Sequence, residues 1–159
     1  MAGQPYQDRM TSIGHLARIT FREFSAGLGR RFAAHGVTPG QWRFLRVLWE
    51  EDGITQRELS ERVGATEATT VRSTRSLLKS GLIERRDDPN DKRKFRIFLT
   101  PRARRLEATL LPYVAEVHEI ALEGIPKRDV ATTVRVLRAI HQNFIAHGDV
   151  ATFDEDAFA

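Results

Sequence analysis

The sequence has no cysteine among its 159 residues. Without a thiol, the chain cannot form a disulfide, use a thiolate nucleophile, sense peroxide through sulfur or bind zinc through cysteine. The five histidines lack the pairwise spacing typical of zinc ligands, so we expect them at the surface or in an interface. We therefore expect neither a metal site nor a cofactor.

Long apolar runs and the signatures of common enzyme classes are also absent. No run approaches the roughly 20 residues needed to span a bilayer, and no secretory signal stands near the N-terminus. The sequence has no G-x-S-x-G, no phosphate-binding P-loop and no H-E-x-x-H pattern. We expect a cytoplasmic protein that does not bind membranes and is not an enzyme.

Basic residues outnumber acidic ones, which gives a formal net charge of +4 at pH 7. Four acidic residues lie in the tail, 148–159, which has no lysine or arginine: Asp149, Asp154, Glu155 and Asp156. Setting these four charges aside leaves +8 on residues 1–147. This indicates a polyanionic partner without separating DNA from RNA or an anionic membrane. The tail is expected to be a flexible end, or alternatively a shield for the basic face.

Apolar spacing and capping residues predict a mainly α fold with a small β-hairpin wing. The expected helices run from about 6 to 35, 38 to 52, 55 to 63 and 66 to 80. Strands are expected at 82–86 and 94–99, on either side of turn residues 87–91. Thr100-Pro101 starts another helix, which Pro112 is expected to kink, and a last helix follows residues 124–126.

The outer helices are long and amphipathic, and a small winged domain can cover only part of their apolar faces. A second copy of the chain would complete this burial. We therefore predict dimerisation helices at 6–36 and 100–147, a winged helix-turn-helix DNA-binding domain at 37–99, and an acidic tail at 148–159.

The helix at 66–80 follows a glycine turn and has a basic face, as expected of a helix that reads DNA. Its N-terminal end is the end that meets bases in helix-turn-helix docking, and its free amides suit phosphate. The candidate DNA-binding residues are Thr66, Glu67, Ala68, Thr69, Arg72, Ser73, Arg75 and Ser76. The alternative is a solvated helix with a mixed surface, on which Glu67 only complements the helix dipole.

The predicted hairpin adds a second basic surface. Residues 85–105 contain nine lysines or arginines and three aspartates. Lys92, Arg93 and Lys94 at its tip are candidate DNA contacts, and Asp91 could orient the guanidinium of Arg93 for insertion into a narrow minor groove. Taken alone, Asp91 could instead be a simple turn residue and Arg93 a solvated side chain.

Two consecutive segments together resemble the MarR family of bacterial winged-helix regulators. They are residues 54–86 (ITQRELSERVGATEATTVRSTRSLLKSGLIERR) and 88–106 (DPNDKRKFRIFLTPRARRL). The family's wing commonly has the form D-x-R, which Asp91 and Arg93 match. Its second strand usually closes with a Leu-Thr helix start, which residues 99 and 100 match.

The resemblance extends over about residues 10–147. It implies a homodimer, triangular in outline, that binds a near-palindromic operator, most often as a repressor. Thr74 stands where a larger aliphatic residue is common and Arg75 makes the helix unusually basic, so the operator sequence stays open. The alternative is an architectural DNA-binding protein with low sequence specificity and no small-molecule effector.

Members of this family often release DNA when a small aromatic acid binds near the junction of the dimer helices and the winged domain. Candidate ligand-binding residues here are the rings and arginines of the first two helices: Arg18, Phe21, Arg22, Phe24, Trp42 and Trp49. An arginine fork suits a carboxylate or phosphate, and rings suit a planar ligand. These residues could therefore bind a small aromatic acid or its CoA thioester; the alternative is that the rings are core or dimer contacts.

Overall fold

The computed structural model describes residues 9–91 and 93–148. Within these ranges the chain forms six α-helices, two short 3-10 turns (Arg9–Thr11 and Ala33–His35) and one small sheet. The helices are α1 (Ile13–Phe32), α2 (Pro39–Glu50), α3 (Gln56–Val63), α4 (Glu67–Lys79), α5 (Pro101–Ala121) and α6 (Lys127–Ala146). The strands are β1 (Ile54–Thr55), β2 (Ile83–Asp87) and β3 (Phe95–Leu99). Residues 6–8 of the predicted first helix, Lys92 and the tail beyond residue 148 lie outside the described residues.

Hydroxyl side chains start most of these helices. The Thr38 and Thr55 hydroxyls each accept a bond from the backbone three residues on, while Gln41 and Glu58 accept from the capping residue's own amide. These reciprocal pairs, known as capping boxes, satisfy two amides that have no partner within the helix. The box predicted at Thr55 is therefore confirmed, and α2 begins with a second one.

The sheet has three strands, whereas the sequence predicts a two-stranded hairpin. Its order is β1-β3-β2, with Ile54 opposite Ile97 and Ile83 opposite Leu99 in antiparallel register. β1 has only two residues, which is too few for an alternating pattern to be recognised in the sequence. Because β1 pairs with β3, the sheet connects the wing to the turn that precedes α3.

One hydrophobic core joins the winged domain to the outer helices. Phe32 of α1, Leu45 of α2 and Leu110 of α5 are fully buried in the same cluster as Leu77 of α4 and Ile97 of β3. Burial at each of these positions is worth about 1.5–3 kcal/mol. α4, the helix predicted to read DNA, is therefore packed into the same core as the ends of α1 and α5.

The last helix is the least covered part of the fold. No residue of α6 is buried. Large apolar side chains of α6 and of the preceding loop and helix remain substantially exposed: Ile120, Ile125, Val134, Leu137, Phe144 and Ile145. α5 continues as one helix past Pro112, and the kink predicted there stays a prediction. The long helices thus present an extended apolar face beyond the core.

Candidate nucleic-acid interface and adjoining cavity

α4 has one face that is committed to the fold. Thr66 caps the helix by accepting a bond from the Thr69 amide at 3.0 Å. Thr70 and Thr74 are fully buried, and their hydroxyls donate to the carbonyls of Thr66 and Thr70 at 2.9 and 2.8 Å. Back-bonding of this kind lets a small polar residue occupy a core position without an unsatisfied hydroxyl.

The opposite face of α4 is open to a partner. The exposed side chains among the predicted contacts are Glu67, Ala68, Arg72, Arg75 and Ser76, while Thr66 and Ser73 are half-buried. Of the exposed ones, Ser76 lies at the edge of this face, where its Oγ accepts from Gln41 Nε2 at 2.9 Å. Thr69 differs from its predicted role, because it is only 4% exposed and its hydroxyl accepts from that of Thr66 at 2.9 Å. Thr69 therefore belongs to the cap of α4 and does not contribute to its open face.

The tip of the wing contains the contact that the sequence predicts. Asp91 Oδ1 accepts from the backbone amide of Arg93 at 3.0 Å and from its Nε at 3.3 Å. Both bonds lower the pKa of Asp91, and the bond from the backbone amide is the larger cause. The Arg93 side chain remains 91% exposed. A fixed, projecting guanidinium is suited to a narrow, electronegative minor groove.

A second aspartate at the base of the wing is missed by the sequence reasoning. Asp88 is 6% exposed and accepts from the Asn90 amide at 2.8 Å and from Arg96 Nε at 2.7 Å. Arg96 Nη1 also donates to the carbonyl of Gly53 at 2.9 Å. The Asn90 amide, followed by Arg96, lowers the pKa of Asp88. The sequence Asp88-Pro89-Asn90 predicts a turn. It does not predict the pairing with Arg96, eight residues later, because that pairing depends on the register of the sheet.

Two further exposed arginines lie on β2. The guanidinium of Arg85 lies 4.2 Å from the ring centroid of Phe95, and that of Arg86 lies 4.4 Å from the ring centroid of Phe98. Both arginines are exposed, and such stacking restricts where their charge can point. Because neighbouring residues of a strand point to opposite faces, these two arginines lie on opposite faces of the wing, and Arg86 also pairs with Glu84.

A cavity of about 500 Å³ lies between α1, α2 and α5, beside the winged domain. Five of the six predicted ligand residues line it: Arg18, Phe21, Arg22, Phe24 and Trp42. Trp49 does not line it, because its ring packs edge-on against Trp42 at 5.3 Å and its Nε1 donates to the Ala103 carbonyl at 3.0 Å. Trp49 is therefore a structural neighbour of the cavity wall.

The structure adds cavity residues that the sequence reasoning does not select. Arg43 and Arg46 come from α2, and Val114 and His118 from α5. The described lining thus includes four arginines and no carboxylate. α5 is distant from α1 and α2 in the sequence, so only the packing of the three helices reveals this convergence. The cavity is suited to an anionic ligand with a planar ring.

The geometry matches proteins of known class. A family profile described as MarR family matches residues 37–95. The structure of a MarR transcriptional regulator from Methanosarcina mazei aligns with a TM-score of 0.76 and 28% identity, over 84% of this chain and 96% of that one. A second solved structure, of transcriptional regulator PA3341, is 33% identical over 85% of this chain and 99% of that one, with a TM-score of 0.72. The chain belongs to the MarR family.

Two further relatives are matched over different shares of their length. CouR from Rhodococcus jostii, solved bound to p-coumaroyl-CoA, aligns with a TM-score of 0.72 and 25% identity, over 84% of this chain and 94% of CouR. YybA of Bacillus subtilis, a transcriptional regulator with a helix-turn-helix, is 25% identical over 67% of this chain and 71% of that protein.

Membership of the MarR family establishes the general class of activity. The chain is a DNA-binding transcriptional regulator with a winged-helix fold, and MarR regulators are not enzymes. MarR proteins bind DNA and work as dimers. In residues 9–91 and 93–148, no helix is long and apolar enough to cross a membrane. Over the same residues, no histidine and carboxylate side chains cluster as metal ligands do.

Proposed function

We propose that this MarR-family chain is a homodimeric repressor that binds a near-palindromic operator and releases it when an anionic aromatic ligand enters the cavity between α1, α2 and α5. The observation that carries the proposal is the cavity itself. It combines aromatic rings with four arginines, and it adjoins the domain that bears the DNA-reading helix.

Operator reading is assigned to α4 and to the wing. The open face of α4 offers Arg72 and Arg75 beside the helix N-terminus at Glu67 and Ala68. This end would enter the major groove, while Arg93 would reach the minor groove. Among the described residues, the remaining predicted contacts Thr66, Ser73, Ser76 and Lys94 would lie around these positions. α4 would thus read base edges directly and Arg93 would read the shape of the minor groove, and both kinds of readout carry sequence information.

The apolar face of the long helices supports the homodimer. Leu137 and Phe144 on α6 are 44% and 51% exposed, and no residue of that helix is buried within one chain. Pairing with a second copy would remove these side chains from water. A two-fold dimer places two equivalent reading helices on DNA, so a near-palindromic operator follows from the symmetry.

The chemistry of the lining supports an aromatic acid or its CoA thioester as the effector. Trp42 and Phe24 can contact a planar ring, while the guanidinium groups of Arg18 and Arg22 are exposed at the rim. A volume near 500 Å³ suits an aromatic acid, and the rim arginines suit the phosphates of a thioester that extends outside. CouR, solved with p-coumaroyl-CoA, has the same fold at 25% identity.

The test begins with a duplex selected by the protein from a random DNA pool. Its affinity is measured against a scrambled duplex at one fixed salt concentration, with and without p-coumarate or p-coumaroyl-CoA. We expect the selected duplex to bind at least about 10³-fold more tightly, and one of the two ligands to weaken this binding. Equal affinity for both duplexes would instead favour an architectural DNA-binding protein. Absence of heat and of any change in DNA affinity with both ligands would remove the proposed effector class.

A further inference from the structure

We propose that Gln41 is the positioning residue through which the cavity controls α4, so that a ligand at the first turn of α2 alters operator affinity. This inference rests on the effector site proposed above. It adds the physical connection between that site and the DNA-reading helix.

The side chain of Gln41 bonds to α4 through its amide nitrogen and to the start of its own helix through its amide oxygen. It lies in the first turn of α2 and is 5% exposed. Its Nε2 donates to Ser76 Oγ at 2.9 Å and to Ser80 Oγ at 3.0 Å, which are in the last turn and at the C-cap of α4. Its Oε1 accepts from the Thr38 amide at 3.1 Å. Both amide N–H donors and the carbonyl are therefore used.

The same turn of α2 forms part of the cavity wall. Pro39, Gly40 and Trp42, on both sides of Gln41 in the sequence, line the cavity. α1 packs tightly against this turn, because a Cβ placed on Gly29 would approach Pro39 Cγ to 3.2 Å. A ligand between α1 and α2 therefore acts on the segment that holds Gln41. Packed interfaces of this kind move as units and do not deform continuously.

A shift at the last turn of α4 is transmitted along the helix. Ser76 and Ser80 are near its C-terminal end, whereas Glu67 and Ala68 are at the end predicted to meet bases. An α-helix is stiff over this length of about three and a half turns, so reorienting one end reorients the other. Gln41 would thereby couple cavity occupancy to the docking angle of α4. Such coupling is a free energy between two sites and has to be measured as one.

Two variants test the coupling from its two sides. Gln41→Met removes the amide, and a Ser76→Ala/Ser80→Ala double variant removes its acceptors while the capping box of α2 stays intact. The readout is the ratio of affinities for the selected duplex without and with saturating p-coumaroyl-CoA. We expect a ratio of about tenfold or more in the wild type, and of less than about threefold in both variants. Affinity for p-coumaroyl-CoA without DNA should change little.

Matched controls separate coupling from a general loss of structure. Gln56→Met removes a different glutamine beside α4, whose Oε1 accepts from Thr74 Oγ1 at 3.4 Å but which does not line the cavity. It should keep the wild-type ratio even where DNA affinity falls. A Ser76→Thr/Ser80→Thr double variant keeps both hydroxyl acceptors and should therefore keep most of the wild-type affinity ratio.

Each outcome decides between the two proposals. If the wild type responds to p-coumaroyl-CoA and the Gln41 and serine variants respond equally, the coupling role of Gln41 is overturned while the effector site stands. If the wild type neither binds p-coumaroyl-CoA nor responds to it, the same ratios are measured with p-coumarate. If neither ligand binds or changes DNA affinity, the proposed effector class is wrong and the coupling is overturned with it. Loss of the ratio in the Gln56 variant as well would also overturn a specific role for Gln41.

Discussion

The guanidinium of Arg96 and the carboxylate of Asp88 are joined at the base of the wing, with Arg96 Nε 2.7 Å from Asp88 Oδ2. Arg96 also donates to the carbonyl of Gly53, in the turn before β1. This pair therefore connects the wing to the body of the winged domain. We therefore expect the Asp88–Arg96 pair to fix the orientation of the wing tip without contacting DNA itself.

Asp88→Asn should lower both the stability and the operator affinity of the protein. The change keeps an acceptor for the Asn90 amide and removes the charge opposite Arg96. We expect a lower free energy of unfolding in urea at pH 7, and weaker binding of the selected duplex at constant salt. Asp87→Asn, at an exposed neighbouring position, is the control and should behave as the wild type.

The pH dependence of stability should change in the same variant. The folded state lowers the pKa of Asp88 below its ordinary value of 3.8. Its carboxylate thus adds stability at pH values above 3.8, and this contribution declines as the pH falls through the interval down to the folded-state pKa. Urea titrations from pH 7 down to about pH 3 should show a smaller loss of stability in Asp88→Asn than in the wild type. Parallel pH profiles would contradict the role of this carboxylate.

Arg93→Ala should weaken operator binding by about 1–3 kcal/mol without unfolding the wing. The reason is the loss of a guanidinium that Asp91 holds in a projecting position. Asp91→Ala should cause a smaller loss, because the charge remains but is no longer oriented. The matched control is Arg128→Ala on α6, since Arg128 is also exposed and pairs with a neighbouring aspartate. Equal binding by the Arg93 and Arg128 variants would argue against a DNA contact at the tip of the wing.

Leu137→Glu should shift the protein from dimer to monomer. This leucine is 44% exposed within a single chain, and a charge there would be costly once a partner covered it. Sedimentation velocity at micromolar concentration measures the shift, and Gln142→Glu on the same helix serves as the control for added charge. A wild type that is monomeric in this experiment would contradict the proposed homodimer.

Trp42 should be the tryptophan that reports ligand binding. It lines the cavity, whereas Trp49 lies behind it and donates to the Ala103 carbonyl. On titration with p-coumaroyl-CoA, we expect a Trp49→Phe variant to keep most of the fluorescence change and a Trp42→Phe variant to lose most of it. Trp49→Phe should also cost about 1 kcal/mol of stability, as expected for one hydrogen bond. The opposite fluorescence pattern would place the ligand outside this cavity.

Local signals in the sequence account for the mainly helical fold and for the tip of the wing. Thr38-Pro39, Thr55 with Glu58, and Thr100-Pro101 each start a helix through bonds made within one turn, so these starts can be recognised without knowledge of the packing. The bond between Asp91 and Arg93 spans two residues and is readable for the same reason. Absence of cysteine likewise excludes thiol chemistry from composition alone.

Only the tertiary structure decides the contacts between segments that are far apart in the chain. Arg96 reaches Gly53 because β3 pairs with a two-residue strand, and Gln41 reaches Ser76 because α2 packs against α4. Threonine is a residue type suited to DNA contact, but Thr69 is buried in the cap of α4. The cavity likewise exists because α5 closes a space between α1 and α2. Hydrogen bonds within one turn and the spacing of apolar residues can be read from the sequence. The register of the strands, the burial of each side chain and the walls of the cavity result from how the elements pack.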